Sequence, residues 1–248
     1  STLALPTIAL KNPSAHAGGF FLFIPFSDSS TFPENVRFAL NPPDAFPMLT
    51  PSPHGSKMSQ LKKKVILVIQ ARQGSTRLPG KILMPLGGRP TLWHILERVR
   101  AAKTVDQIVV ATTDKPEDRM VEVFCNREKI PCYKGSEHNV LDRFYQCALP
   151  FHPEVVVRVT ADCPLVVPAG IDEAVETLKK KKLDYFLPEL SKIPLGLAAE
   201  AFTFSALERA HKEAREQADL EHVTYYIQRH PRKFKVLLGE TRAIPRRP

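Results

Sequence analysis

From residue 65 onward the chain alternates between two patterns: short β-branched runs, and longer stretches where apolar residues recur every three or four positions. The first suits strands buried in a sheet, the second the apolar stripe of a helix packed against one. Val65–Ile69 predicts a buried strand, from which a glycine-containing loop runs to Lys81. Leu92, Ile95, Leu96, Val99 and Ala102 mark one face of a helix, and Ile108–Thr112 a second strand. Pro116 fits the first turn of a helix, which then places Met120, Val121 and Phe124 on its apolar face, and Ile130–Tyr133 reads as a short strand. Val140, Leu141, Phe144, Tyr145 and Ala148 give another helical stripe before the strongest strand signal, Val155–Thr160. Further on, Ile171, Ala174, Val175 and Leu178 predict a helix ending in Lys179–Lys182, where cations suit the negative end of the helix dipole. Leu183–Leu187 then predicts a strand, Ser205 to Gln217 and Asp219 to Arg229 two helices, and Phe234–Leu238 a last strand. Strands alternating with helices define the α/β class.

Residues 1–57 carry neither period. They hold 9 of the 23 prolines and 7 of the 14 phenylalanines, and their few charges cancel, so the whole formal charge of +9 belongs to 58–248. Repeated proline removes backbone donors and blocks helix, so the segment reads as a disordered or extended leader. Its apolar run Phe20–Phe26 is far shorter than the roughly 20 residues a membrane-crossing helix needs. It also lacks the clustered positive charge and cleavage site of a secretory signal. The expectation is that the functional protein begins near Met58, that residues 1–57 are not native to it, and that 58–248 form one domain of about 190 residues.

Composition changes the picture little. With 43% hydrophobic and 25% charged residues the chain sits near the globular average, which argues against collagen-like, coiled-coil or wholly disordered classes. Cys125, Cys132, Cys147 and Cys163 form no C-x-x-C pair and have no histidine at zinc-finger spacing. They fit a reduced, cytoplasmic protein with no structural metal, and Cys163 reads as a small buried filler.

The chemistry concentrates in Ala71-Arg72-Gln73-Gly74-Ser75-Thr76-Arg77-Leu78-Pro79-Gly80-Lys81, where the first strand ends. Open α/β sheets bind ligands beyond the carboxyl ends of their strands. Gly74 and Gly80 let backbone N–H groups approach an anion, and Arg72, Arg77 and Lys81 add three cations, a cradle suited to a polyphosphate. Ile82 stands where a Walker A loop needs Ser or Thr, so the loop is of another kind. Taken alone, these cations also fit a solvated basic loop. Asp162 follows the strongest strand and suits either a metal ligand or a turn cap before Pro164.

The run Ile69-Gln70-Ala71-Arg72-x-Gly74-Ser75-Thr76-Arg77-Leu78-Pro79-Gly80-Lys81 resembles the N-terminal signature of the CMP-sugar-forming cytidylyltransferases, the 3-deoxy-manno-octulosonate and acylneuraminate group. The branch named after spore-coat polysaccharide biosynthesis is closer still. To it are similar Gly135-Ser136-Glu137 with Val140-Leu141-Asp142-Arg143, Val157 through Leu165, Pro194-x-Gly196-Leu197 with Glu200 and Phe202, and Glu221-His222-Val223-Thr224. The matches keep the family's order from Val65 to Phe234. The resemblance implies a single-domain glycosyltransferase-A-like, Rossmann-like fold, its mostly parallel mixed sheet covered by helices on both faces. It further implies use of CTP and Mg²⁺ to activate a sugar or sugar acid as a CMP-sugar, with release of pyrophosphate, for surface polysaccharide synthesis. Nucleotide-binding roles carry over onto Ala71, Arg72, Gly74, Ser75, Arg77 and Lys81, catalytic ones onto Lys81, Arg77 and Asp162, and the metal-ligand role onto Asp162. Asp142, Arg143, Glu200 and His222 carry the substrate-binding role, although Asp142 and Arg143 also suit an ordinary helix-surface pair and His222 a packed helix residue. A homodimer is likewise an implication of the family.

Two departures qualify this. Ala161 stands where the branch has glycine, and relatives continue past this chain's last residues into a strand bearing a second acidic metal ligand. The expectation is a domain truncated at its C-terminus, with Mg²⁺ held by Asp162, triphosphate and water, and with weakened turnover. A non-catalytic CTP- or sugar-binding fragment therefore stands as an alternative. The basic charge raises a nucleic-acid-binding reading, but no motif with interleaved aromatics supports it, so neither nucleic acid nor a membrane is expected as a partner.

Overall fold

The structure is a computed structural model, and it describes residues 64–75 and 78–246. The leader, the start near Met58, and Arg77 lie outside the described residues.

Six consecutive residues, Val65–Gln70, form β1. It is an interior strand, flanked by parallel neighbours: β4 (Gln107–Thr113) on one side and β6 (Val155–Thr160) on the other. Buried on both faces, it needs apolar residues at every position rather than at alternate ones. Val65, Leu67 and Ile69 join the core beneath α1 (Thr91–Arg100), α2 (Arg119–Glu128) and α4 (Pro168–Lys180). Ile66 and Val68 join the core on the opposite face, beneath α3 (Val140–Ala148), α5 (Phe204–Glu213) and α7 (Tyr225–Arg229). The expected mixed sheet with helices on both faces is thus present.

The sheet has seven strands in the order β5-β4-β1-β6-β8-β7-β9, where β5 is Cys132–Gly135, β7 Tyr185–Pro188, β8 Glu200–Thr203 and β9 Val236–Gly239. Strand β8 runs antiparallel to both β6 and β7, and the other pairings are parallel. After β1 the chain builds outward through β4 and β5 and then crosses to β6, so the strand order reverses beside β1. A ligand crevice belongs at that switch point, beyond the carboxyl ends of β1 and β6. A two-residue hairpin, β2 (Pro85–Leu86) with β3 (Arg89–Pro90), lies apart from this sheet.

Several elements differ from the sequence reading. Pro116 opens a single 3₁₀ turn, Pro116–Asp118, before α2, and this rotates the helix so that Val121 and Cys125 are buried while Met120 is exposed. Strand β5 begins at Cys132, because Lys129 takes a left-handed conformation that ends α2 just before it. The helix expected over Asp219–Arg229 is instead α6 (Gln217–Glu221) and α7, separated by an extended His222. Strand β8 has no counterpart in the pattern. Its four residues, Glu-Ala-Phe-Thr, are too few for alternation to register, and their pairing partners lie far away in sequence.

Candidate active site

Beyond the carboxyl ends of β1 and β6 opens a cleft of about 280 Å³, lined by Gln70, Arg72, Gly74, Ser75, Lys81, Ile82, Thr160, Ala161 and Asp162. Strand pairing creates it: Gln70 and Thr160 lie side by side in the β1–β6 ladder, so the two loops that follow face each other. The Ala161 N–H donates to the Gln70 carbonyl (2.9 Å) and the Ala71 N–H to the Ala111 carbonyl (3.0 Å), which ties both loops to the sheet as they leave it.

The phosphate-type loop is shaped by local bonds. Gly80 adopts φ +71°, a left-handed conformation open to glycine at low cost, and its N–H donates to the Gln73 carbonyl at 3.0 Å. The Leu78 N–H donates to Ser75 Oγ at 3.3 Å. A residue missed by the sequence reading anchors the loop from below. Buried Asp118 accepts the Gln73 N–H at 2.7 Å through one oxygen, and through the other the N–H (3.3 Å) and hydroxyl of Thr113 at the end of β4. Its only signal in the sequence is an acidic residue shortly after a strand.

Lys81 Nζ donates to Asp162 Oδ2 at 2.8 Å across the cleft, with 29% of the Lys81 side chain and 47% of the Asp162 side chain exposed. Burial pushes the Asp162 carboxyl up, but hydrogen bonds from Lys81 and Thr160, together with the lysine's charge, hold it below the usual aspartate range. The carboxylate is therefore ionised and half open to solvent, able to exchange a lysine partner for a cation. Arg72 also lines the cleft and donates outward to Glu137 Oε1 at 3.3 Å, while Lys115 pairs with the other Glu137 oxygen. The Lys115 hydrogen bond, opposed by burial and assisted by the charges of Lys115 and Arg72, holds the Glu137 carboxyl low.

Of the residues read from sequence, the fold brings Arg72, Gly74, Ser75, Lys81 and Asp162 into one cleft, with Ala71 buried beneath it. The substrate-binding set is dispersed. Asp142 bonds His211 of α5 at 2.8 Å and accepts from Gln146 at 3.2 Å, so the surface pair expected with Arg143 does not form. Arg143 is fully buried and donates to the Ser136 carbonyl at 2.6 Å, with burial, then repulsion from Arg72, lowering its pKa. A Cβ at Gly135 would come within 3.1 Å of the Arg143 and Tyr133 side chains, which would have to shift to admit it. His222 is exposed, edge-on to Tyr225. Glu200 sits opposite Arg158 in the β6–β8 ladder and pairs with it behind the cleft.

Among the described residues no group of three or more His, Cys, Asp or Glu side chains converges to hold a metal. The donor set offers the single carboxylate of Asp162. It fits Mg²⁺, which is commonly bound by one or two carboxylates plus substrate phosphates and water. Likewise no described helix is long and apolar enough to cross a membrane.

Comparison with known proteins agrees with this geometry. The family model described as cytidylyltransferase matches residues 66–247. An uncharacterized protein of Methanocaldococcus jannaschii is 46% identical over 71% of this chain and 72% of its own length. The spore coat polysaccharide biosynthesis protein SpsF of Bacillus subtilis is 37% identical over 69% of this chain and 73% of its own. The solved structure of a cytidylyltransferase from Leptospira borgpetersenii superposes with a TM-score of 0.69 at 30% identity, covering 74% of this chain and 78% of that one. The cleft at the strand switch, the basic loop beside it and these matches agree: the chain belongs to the cytidylyltransferase family and is a nucleotidyltransferase.

Proposed function

We propose that this enzyme uses CTP and Mg²⁺ to activate a sugar or sugar acid as a CMP-sugar, releasing pyrophosphate, in the synthesis of a surface polysaccharide. The observation that carries the reading is the convergence of Arg72, Ser75, Lys81 and Asp162 on one cleft, with Lys81 and Asp162 in direct contact. The polysaccharide context rests on the likeness to the spore coat protein.

In the proposed reaction a sugar hydroxyl oxygen attacks the α-phosphorus of CTP. A new P–O bond forms, the bond from the α-phosphorus to the β-phosphate oxygen breaks, and the hydroxyl proton leaves to solvent. Negative charge grows on the departing pyrophosphate, so fixed cations beside it lower the barrier more than general acid–base chemistry would. Arg72 and Lys81 supply that charge, and Ser75 with the loop N–H groups orients the phosphates. Asp162 holds Lys81 in place in the free enzyme and would hold the metal in the complex. When bound, Mg²⁺ supplies charge neutralisation across the phosphate oxygens.

The test is pyrophosphate release from CTP, ATP, GTP and UTP with Mg²⁺ over a panel of surface sugar acids and sugars, 3-deoxy-manno-octulosonate included, alongside Asp162→Asn. The expected result is CTP-selective turnover that disappears in the variant. Folded protein that releases no pyrophosphate from any nucleotide contradicts the reading.

A further inference from the structure

Behind the cleft, on the β6–β8 side, lies a polar network that the phosphate loop does not use. Arg158 donates from Nε and Nη2 to Gln70 Oε1 at 3.0 and 2.9 Å, and its Nη1 pairs with Glu200 Oε1. The other Glu200 oxygen accepts from the Tyr185 hydroxyl at 3.1 Å and from the Thr224 hydroxyl at 2.6 Å. Gln228 Nε2 donates to both of those hydroxyls at 3.0 Å. The chain of bonds thus runs from α7 through β7, β8 and β6 and ends on the last residue of β1, which lines the cleft.

That end point has a definite chemical polarity. A guanidinium carries only donors, so the Gln70 atom facing Arg158 has to be the amide oxygen. The amide NH₂ group is thereby turned away, and it has no hydrogen-bond partner among the described residues. Glu200, by contrast, has both carboxylate oxygens engaged inside the network. The groups that suit the triphosphate come from the loop after β1 and from Lys81. Gln70 lines the same cleft, and a neutral pair of N–H donors there fits an oxygen lone pair on the attacking molecule.

We propose that Gln70 is a specificity-determining contact for the acceptor sugar. Its amide is locked by Arg158 with the NH₂ group directed into the cleft, and Glu200 is the positioning residue that fixes Arg158. The ligand chemistry selected is a hydroxyl, carboxylate or ring oxygen close to the attacking hydroxyl. This inference rests on the transferase reading above.

The experiment compares the full chain with Gln70→Met and Gln70→Glu. The first removes the amide without adding charge. The second keeps an oxygen for Arg158 and replaces the donor by an acceptor, so it preserves the fold. Calorimetry reads Kd for CTP, and pyrophosphate release over the same panel reads KM for the acceptor that turns over. The expected result is an acceptor KM raised about tenfold in Gln70→Met and at least that in Gln70→Glu, with CTP Kd in Gln70→Met within about twofold of the parent. Glu200→Gln should raise the acceptor KM as well, and its effect should fail to add to that of Gln70→Met, because both act on one contact. An unchanged acceptor KM, a CTP Kd that rises with loss of the amide, or full additivity overturns the assignment while leaving the transferase reading intact. A parent chain that binds CTP but turns over no acceptor overturns the transferase reading, and the role of Gln70 falls with it.

Discussion

The cleft and the network behind it are built on opposite plans. At the cleft the cations are partly exposed: Arg72 and Lys115 share Glu137, whose own side chain is only 14% exposed, and Lys81 meets the half-exposed Asp162 across the cleft. The Lys81–Asp162 pair, open to solvent on both partners, contributes little to stability, about 0–1 kcal/mol, which leaves Lys81 free to trade a carboxylate for a phosphate. On the β6–β8 side Arg158 and Glu200 are more than four-fifths enclosed, and each is held by several bonds at once. Such a network resists rearrangement, because opening it leaves desolvated polar groups unpaired. On the proposed reading the cleft's cations suit a ligand rich in charge, and the network behind it, through Gln70, a ligand told apart by the placement of single oxygens.

The contrast can be broken by mutation. Asp162→Asn should give the largest effect, a loss of turnover on the order of 10²–10³-fold, with little change in thermal stability because the carboxylate is half exposed. Steady-state kinetics together with thermal melts check both parts. Glu200→Ala should do the reverse for stability. It strips Arg158 of its ionic partner, costs about 2 kcal/mol, and lowers Tm by roughly 4–8 °C, while CTP affinity is retained. A melt unchanged from the parent would show that the enclosed network is not a stabilising unit.

A subtler change concerns Asp162 itself. Burial raises its pKa, and Lys81 and Thr160 more than offset that. Its native value lies below the unfolded one, so the associated stability is complete above the usual aspartate value and is lost as pH falls through the lowered native value. Lys81→Met should leave burial less opposed and move the Asp162 titration upward, shrinking this acid-side dependence. NMR titration of the Asp162 carboxyl in the two proteins reads the shift, and identical midpoints would remove Lys81 as the controlling group.

The same division governs what the sequence made legible. The phosphate loop's place at the cleft was readable because its residues are contiguous, from Ala71 to Lys81, and strand β1 announced itself as an unbroken apolar run. Asp162 was readable from its place after the strongest strand. The network behind the cleft was not, because Gln70, Arg158, Tyr185 and Glu200 lie on four different strands and Thr224 and Gln228 at α7, so they meet only in the folded chain. Glu200 was recognised as belonging near the site, but its role depends on the antiparallel register that sets it opposite Arg158, and β8 carries no periodic signal. Met120 fell on the wrong face for a similar reason: one 3₁₀ turn after Lys115 changes the phase of α2 without altering its apolar content.

The most direct measurement is a calorimetric titration of CTP with Mg²⁺ into the parent chain, Arg72→Ala and Glu200→Gln. The account predicts one CTP per chain, about tenfold weaker binding in Arg72→Ala, where a charge-assisted contact is lost, and parent-like binding in Glu200→Gln. Failure of the parent chain to bind CTP, or equal weakening by both substitutions, would contradict the division between a nucleotide-binding cleft and the network behind it.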